Sequence, residues 1–243
     1  MQITVVIPTY NEAENLPKLV SVLFALPLDL RLLVVDDGSP DGTGQLAEQL
    51  GAEHGGRISV LHRPGKMGLG SAYISGFQQA LKEGAEAVAQ MDADFSHPAE
   101  KLVEMAQMLQ TCDLAIGSRY ISGSKLDETW PWYRKVLSGF GNWYARTILG
   151  MQVRDVTGGF RMWRRKTLEG MPLERIRSNG YIFQVEMAYV AALLGFTMKE
   201  TPIYFAERQL GKSKMSMRIQ VEAALRVWQL PGMYSDLKKK ISA

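Results

Sequence analysis

The most informative segment of the chain reads Val88-Ala89-Gln90-Met91-Asp92-Ala93-Asp94. An apolar run leads into two carboxylates, and Phe95-Ser96-His97-Pro98 then interrupts it. A strand that ends in Asp-x-Asp presents the first carboxylate at its mouth and the second in the turn beyond. Mg2+ and Mn2+ prefer carboxylate oxygens and usually keep water and substrate phosphate as further ligands. The segment therefore predicts a buried strand and a metal site for a diphosphate, with ordinary turn chemistry of Asp as the alternative.

Apolar runs alternate with helical periodicity on both sides of this segment. Strands are predicted at residues 3–7, 31–35, 58–61, 88–91 and 114–116, and intervening helices near 13–26, 46–50, 71–82 and 102–109. Further on, we predict helices at 133–149, 182–194 and 217–228, the last ended by Pro231-Gly232, and a strand at 198–205. Nearly continuous apolar strands alternating with helices are typical of a parallel sheet covered on both faces. The sequence predicts an α/β fold of this kind.

Three polar clusters follow three of the predicted strands, at Pro8 to Glu12, Asp36 to Ser39, and Asp92 to Ser96. Open α/β sheets bind ligands outside the carboxyl ends of their strands, so these clusters are expected at one ligand-binding edge. Asp37 would accept hydrogen bonds from a base or a ribose. The alternative is that Asp36 to Ser39 forms only a turn.

Basic residues follow the same pattern in the second half of the chain. Arg119 comes directly after a predicted strand, Arg134 and Lys135 open the next helix, and Arg161 follows Gly158-Gly159. As a set, they are expected to bind a substrate with several phosphates. A later basic loop would close over phosphates as a lid, or be a solvated surface loop; its cations are Arg208, Lys212 and Lys214.

Composition limits the remaining classes of function. The chain has 243 residues, 46% of them hydrophobic, and a net charge of +3, which is too small to argue for nucleic acid as a partner. A single cysteine, Cys112, excludes an internal disulfide and a cysteine-based zinc site. The longest apolar run, Ala188 to Phe196, is well short of the roughly 20 residues that span a bilayer. The chain opens on Gln2-Ile3-Thr4-Val5 without the positively charged region of a signal peptide, so no signal peptide is expected. We expect a soluble or peripheral protein.

The chain is expected to divide into a catalytic domain, residues 1–215, and a C-terminal elaboration, residues 216–243. Apolar residues at 217, 221, 224, 225 and 228 share one face of the last predicted helix, and lysines follow at 238–240. An amphipathic helix with a basic tail is typical of binding to a membrane surface. The alternative is a helix that packs on its own domain.

Several ordered motifs resemble glycosyltransferase family 2, the inverting enzymes with the GT-A fold. They are Val6 to Glu12, Val34 to Ser39, and Met91 to Asp94. Later motifs resemble polyprenol-phosphate (dolichol-phosphate) mannose synthases within that family: Gly117 to Tyr120, Asp155 to Arg161, Phe183 to Met187, and Gly211 to Lys214. The likeness covers nearly the whole chain.

This resemblance implies a metal-dependent transferase that moves mannose from GDP-mannose to a polyprenyl phosphate, working peripherally on the cytoplasmic face of a membrane. It implies that the guanosine lies among Pro8, Tyr10, Glu12 and Asp37, with Ala93 beside the metal carboxylates. Asp92 and Asp94 would serve Mg2+ or Mn2+ and the diphosphate. Arg119 and Arg134 would hold the acceptor phosphate, and Arg208 and Lys214 the donor phosphates.

The chain departs from the family pattern at Ser96, where members often have a glutamine as a further metal ligand. The third ligand is therefore expected to be water or the Ser96 hydroxyl. Alternatives to the main interpretation are a polyprenyl-phosphate glucosyltransferase using UDP-glucose, a family 2 transferase acting on a saccharide, and a non-catalytic nucleotide-sugar-binding module.

Overall fold

A computed structural model describes residues 1–207 and 217–237. For residues 217–223 of the last helix it describes the backbone, and from residue 224 onward also the side chains. Strands and helices alternate in the first half as predicted. They are β1 (Ile3–Thr9), α1 (Leu16–Phe24), β2 (Leu30–Asp36), α2 (Thr43–Glu53), β3 (Ile58–His62), α3 (Leu69–Lys82), β4 (Ala87–Gln90), α4 (Lys101–Met108) and β5 (Leu114–Ser118). Helix α1 begins later than expected because the chain first makes a turn, in which Asn11 has a left-handed backbone (φ 62°).

The second half is less regular. Its elements are β6 (Lys125–Leu126), α5 (Trp132–Leu149), β7 (Arg161–Arg164), α6 (Arg165–Gly170), a 3-10 turn (Leu173–Arg175), α7 (Tyr181–Leu193), β8 (Met198–Pro202), β9 (Tyr204–Phe205) and α8 (Met217–Met233). The predicted end of the last helix at Pro231 is wrong, since α8 continues through it. Leu230 and Tyr234, on either side of the proline, are buried, and the Tyr234 N–H donates to the Leu230 carbonyl, so core packing stabilises this turn.

The central sheet has seven strands in the order β3-β2-β1-β4-β7-β5-β8. Only β7 is antiparallel to its neighbours: Gln90 of β4 and Ile116 of β5 both pair with Arg161. Because β7 runs the opposite way, its beginning lies at the edge where the parallel strands end. The residues just before Arg161 therefore join the predicted ligand edge. Strands β6 and β9 form a separate parallel pair.

Two apolar cores cover the two faces of the sheet. One contains residues of α3, α5, α7 and α8, and the other residues of α1, α2 and α4. Helices therefore lie on both faces, as predicted. The division at residue 215 stays a prediction; Val227 and Leu230 of α8, and Tyr234 directly after it, belong to the first core. Within residues 1–207 and 217–237, no helix is long and apolar enough to cross a membrane.

Helix α5 presents its largest apolar side chains to solvent. Asn142, Ala145 and Leu149 face inward, whereas positions three or four residues apart on the other side expose aromatic and aliphatic groups. We call this surface the α5 face: Trp132, Tyr133, Val136, Leu137, Phe140 and Trp143. Trp132 is 76% exposed, and Trp143 and Phe140 are each 56% exposed.

The neighbouring helix α8 extends this apolar surface. Leu225 and Trp228, predicted on its apolar side, are also exposed, at 62% and 65%. The Trp228 indole donates to the Tyr144 hydroxyl (2.8 Å), and that hydroxyl donates to the Ala224 carbonyl (3.2 Å). These bonds join α5 to α8, so the exposed residues of the two helices lie side by side.

Candidate active site

The first two predicted polar clusters meet where β1 and β2 end. The Asp37 N–H donates to the Thr9 carbonyl (3.1 Å), and the Asn11 N–H donates to the Ser39 hydroxyl (3.1 Å). The Glu12 N–H is bound by the Thr43 hydroxyl at the start of α2 (3.0 Å). Parallel pairing of the two strands thus holds Pro8 to Glu12 against Asp36 to Ser39.

Asp37 faces an arginine that the sequence reading missed. The Arg63 Nε lies 3.2 Å from the Asp37 Oδ1, and both side chains are almost fully buried. This contact has ion-pair distance but not hydrogen-bond alignment, and Asp37 Oδ1 and Arg63 Nη1 have no hydrogen-bond partner among the described residues. Burial raises the pKa of Asp37 above its usual value, although the Arg63 charge opposes the shift. Buried, unsatisfied polar atoms of this kind are available to a polar ligand.

Tyr10 lies beneath the loop that precedes α3. The Lys66 ammonium is 3.2 Å from the centre of the Tyr10 ring, a cation–π contact. Gly68 in the same loop has a positive φ (96°), and a Cβ there would come within 2.4 Å of the Asn179 side chain. The loop is therefore packed closely between Tyr10 and the segment before α7.

The Asp-x-Asp turn is next to β1, because the Met91 N–H donates to the Val6 carbonyl. The Asp94 Oδ1 accepts both the backbone N–H (3.1 Å) and the hydroxyl (2.6 Å) of Ser96. Phe95 between them has a left-handed backbone (φ 61°). Ser96 is fully buried and donates its hydroxyl proton to Asp94, so in this geometry it orients the carboxylate. Ala93 is also buried.

Asp92 is more exposed than Asp94 and is held by two other residues. The Tyr73 hydroxyl donates to the Asp92 Oδ1 (3.1 Å), and the Asp92 N–H donates to the His97 Nδ1 (3.1 Å). Burial raises the pKa of Tyr73 well above its usual value, and the Asp92 charge adds to the shift. No group of three His, Cys, Asp or Glu side chains suited to a metal occurs within residues 1–207 and 217–237. Two carboxylates completed by diphosphate and water nevertheless fit Mg2+ or Mn2+.

Arg119 is paired inside the protein. Its Nε and Nη2 donate to the two carboxylate oxygens of Asp155, each at 2.8 Å, and Nη2 also donates to the Thr157 hydroxyl (2.7 Å). Burial alone would raise the pKa of Asp155, but the Arg119 charge and hydrogen bonds hold it below its usual value. The pairing fixes a cation directly after β5.

The expectation that Arg161 binds substrate phosphate is wrong. Its guanidinium is fully buried and donates to three backbone carbonyls, those of Val156, Gly158 and Gln184. Burial lowers its pKa to about 10, so it stays protonated at neutral pH. Arg161 therefore stabilises the turn before β7, and no part of its side chain is exposed to a ligand.

Arg134 is paired with the last residue described before position 217. Its Nη1 lies 3.0 Å and 2.7 Å from the two carboxylate oxygens of Glu207. Its guanidinium carbon also lies 3.7 Å from the centre of the Trp130 ring. Both members of the ion pair are partly exposed, so the pair contributes little to stability.

One ring, that of Phe205, connects these parts. Its centre is 5.6 Å from the His97 ring, 5.6 Å from the Trp130 ring and 5.4 Å from the guanidinium carbon of Arg119. The Asp-x-Asp turn, Arg119 and the Trp130–Arg134 pair therefore surround one aromatic residue. The structure thus brings these three groups together at the end of the sheet where Pro8 to Glu12 meet Asp36 to Ser39. Arg208, Lys212 and Lys214 lie outside the described residues.

Sequence reasoning missed Arg63, Tyr73 and Phe205. Arg63 follows β3 as Asp37 follows β2, so its place in the chain was a usable signal. Tyr73 sits on a helix with ordinary apolar spacing, and Phe205 ends a short strand; neither pattern distinguishes them from core residues.

A family model for glycosyl transferase family 2 matches residues 4–171. The chain is 45% identical over 231 residues to the polyprenol monophosphomannose synthase of Mycolicibacterium smegmatis, covering 94% of this chain and 87% of that one. It is 43% identical over 243 residues to the undecaprenyl-phosphate mannosyltransferase of Micrococcus luteus, covering 99% of each. The mannosyltransferase PcManGT from Pyrobaculum calidifontis, solved with GDP-Man and Mn2+, is similar in fold, with a TM-score of 0.60, 18% identity, and coverage of 98% of this chain and 68% of that one.

Proposed function

The chain belongs to glycosyl transferase family 2, and we propose from that premise that it transfers mannose from GDP-mannose to a polyprenyl phosphate. One observation carries the proposal. Over nearly its full length, the chain is 43–45% identical to two proteins whose names specify mannose and a polyprenyl acceptor. The product is a polyprenyl-phosphate mannose.

The donor nucleoside binds at the edge formed by β1 and β2. Pro8, Tyr10, Glu12 and Asp37 surround the guanosine, and Ala93 lies beside its diphosphate. Support comes from the unsatisfied atoms of Asp37 and Arg63, because a base or ribose supplies both donors and acceptors. Arg208 and Lys214, which lie outside the described residues, neutralise the donor phosphates in this proposal.

Asp92 and Asp94 hold Mg2+ or Mn2+ together with the donor diphosphate. When bound, the metal supplies positive charge that stabilises the departing diphosphate. The Ser96 hydroxyl either adds a ligand or orients Asp94; its 2.6 Å bond to Asp94 supports the orienting role.

The acceptor phosphate acts as the nucleophile. It is an anion near neutral pH, so attack on the anomeric carbon requires no strong general base. The protein's contribution is to position the two substrates and to oppose their negative charge. Arg134 exchanges Glu207 for the acceptor phosphate, while Arg119, fixed by Asp155, supplies a nearby cation. Direct displacement inverts the anomeric configuration.

The membrane is the natural source of a polyprenyl acceptor, and the α5 face supports docking on it. A contiguous apolar patch on a folded surface marks an interaction site, and Trp and Tyr prefer the membrane–water interface. Helix α5 also carries Arg134, directly after the exposed Trp132 and Tyr133. We propose peripheral binding on the cytoplasmic face, where a soluble donor meets a lipid acceptor.

One assay tests the reaction. Purified protein is incubated with Mn2+, a short polyprenyl phosphate and radiolabelled GDP-mannose or UDP-glucose, and the lipid is extracted. Label in the organic phase from GDP-mannose is the expected result. Label from UDP-glucose instead would favour the glucosyltransferase, and no label from either donor would contradict the proposal. Asp94→Ala serves as the inactive control.

A further inference from the structure

Helix α3 carries a fully buried hydroxyl that contacts the metal-binding turn. Tyr73 is 0% exposed, and its hydroxyl lies 3.1 Å from the Asp92 Oδ1. A hydroxyl buried without a partner loses its hydrogen bonds to water and costs stability. The bond to Asp92 therefore matters to both residues.

The Tyr73 ring is fixed by aromatic packing. It stacks on Phe183 of α7, with ring centres 5.9 Å apart and planes 1° from parallel. On its own helix it stacks on Phe77, also at 5.9 Å. With rings on two sides the tyrosine has little freedom to turn, and its hydroxyl stays directed at Asp92.

The backbone of Asp92 is fixed as well. Its N–H donates to the His97 Nδ1, which requires that nitrogen to be unprotonated. The imidazole stacks on Phe160, with ring centres 5.0 Å apart and planes at 16°. Asp92 is thus held at its main chain by His97 and at one carboxylate oxygen by Tyr73.

We propose that Tyr73 is a positioning residue that sets the direction of the Asp92 carboxylate for the metal. The hydroxyl donates to Oδ1 and restrains rotation of the side chain, so the carboxylate would meet the metal already oriented. Residues that orient metal ligands in this way raise affinity by reducing the freedom lost on binding. The inference rests on the proposed function, because it assumes a metal at Asp92.

The first test measures metal binding rather than turnover. Mn2+ is titrated into the protein with GDP and followed by electron paramagnetic resonance. Tyr73→Phe, which removes only the hydroxyl, is expected to weaken Mn2+ binding roughly 10- to 100-fold. Tyr189→Phe is the matched control, since Tyr189 is also buried (3% exposed) in the same core. Equal Mn2+ affinity in Tyr73→Phe and wild type, or an equal loss in Tyr189→Phe, overturns the proposal.

The kinetic readout separates positioning from general damage. In the transferase assay, Tyr73→Phe should require more Mn2+ for half-maximal rate and recover most of kcat at saturating Mn2+, with KM for the polyprenyl phosphate unchanged. A loss of kcat that saturating Mn2+ does not restore would assign the residue another role.

A second test uses no metal and distinguishes failure of this inference from failure of the proposed function. Urea unfolding midpoints are compared for Tyr73→Phe, Asp92→Ala and the double variant. If the hydroxyl acts through Asp92, Tyr73→Phe lowers the midpoint of the wild type more than that of Asp92→Ala. Equal shifts would refute the coupling. If Tyr73 and Asp92 are coupled but the wild type does not bind Mn2+, the positioning role stands and the metal-dependent part of the proposed function is wrong.

Discussion

Replacing Asp155 by Asn tests how the buried cation beside the proposed acceptor site is maintained. Asp155 is fully buried, and its carboxylate accepts two hydrogen bonds from the Arg119 guanidinium. It also accepts the backbone N–H groups of Arg119 (3.0 Å) and Gly158 (2.8 Å). The substitution keeps the volume and removes the charge. Arg119 then remains buried without a counterion.

The expected loss is large because the pair is buried. Removing one partner of a buried ion pair costs about 3–5 kcal/mol, since the remaining charge is not compensated. Asparagine keeps one acceptor oxygen, so the lower end of this range applies. For a chain of this size, a loss of about 3 kcal/mol lowers the urea midpoint by roughly 1 M.

The measurement is urea unfolding at pH 7, followed by tryptophan fluorescence. Asp236→Asn is the matched control: Arg175 donates to both oxygens of Asp236 at 2.8 and 2.9 Å, but that pair is exposed. Exposed pairs contribute little, so the control should unfold with the wild type. If Asp155→Asn does the same, or if both variants lose equal stability, the reasoning from burial is refuted.

The pH dependence of the same pair has a defined sign. The pKa of Asp155 is lower in the folded protein than its usual value of 3.8. Its contribution to stability is therefore complete above about pH 3.8 and is lost as the pH falls through the folded pKa. The difference between wild type and Asp155→Asn should shrink below pH 3.8.

Three further predictions concern the surface and the ion pairs. Trp143→Ser should weaken binding to lipid vesicles about tenfold, because more than half of the side chain is exposed for insertion; vesicle sedimentation measures this, and Thr147→Ser, on the same side of α5, should bind as the wild type does. Glu207→Gln should lower KM for the polyprenyl phosphate by removing the carboxylate that competes for Arg134; a raised or unchanged KM in steady-state assays would contradict the exchange. Burial would raise the pKa of Asp113, but the hydrogen bond from Lys166 outweighs it and lowers that pKa to about 2. The stability that Asp113→Asn loses at pH 7 should therefore disappear between pH 3.8 and 2 in urea titrations.

The edge at which the polar clusters meet could be predicted because strand direction follows from local pattern. Nearly continuous apolar strands with helical connections require a parallel sheet, and the carboxyl ends of such strands share an edge. Asp37 and Asp92 could therefore be expected near each other although they are far apart in the chain. Their contacts with Arg63 and Tyr73 could not, because those depend on tertiary packing.

Periodicity indicated the apolar residues of α5 but not their surroundings. A repeat of three or four residues defines one side of a helix, whatever that side contacts. In α5 the small and polar residues Asn142 and Ala145 face the core, and Phe140 and Trp143 face outward. Which side is buried is decided by the neighbouring elements, which a single segment of sequence does not contain.

The reversed strand β7 has a consequence for synthesis of the chain. The partner of β4 on one side, β1, precedes it in the chain, but its partner on the other side, β7, begins only at residue 161. Until the ribosome has delivered that strand, the hydrogen-bonding edge of β4 stays open beside apolar surface, and open edges favour association between chains. We therefore expect truncation before residue 164 to leave this edge of β4 unpaired and to give aggregating protein.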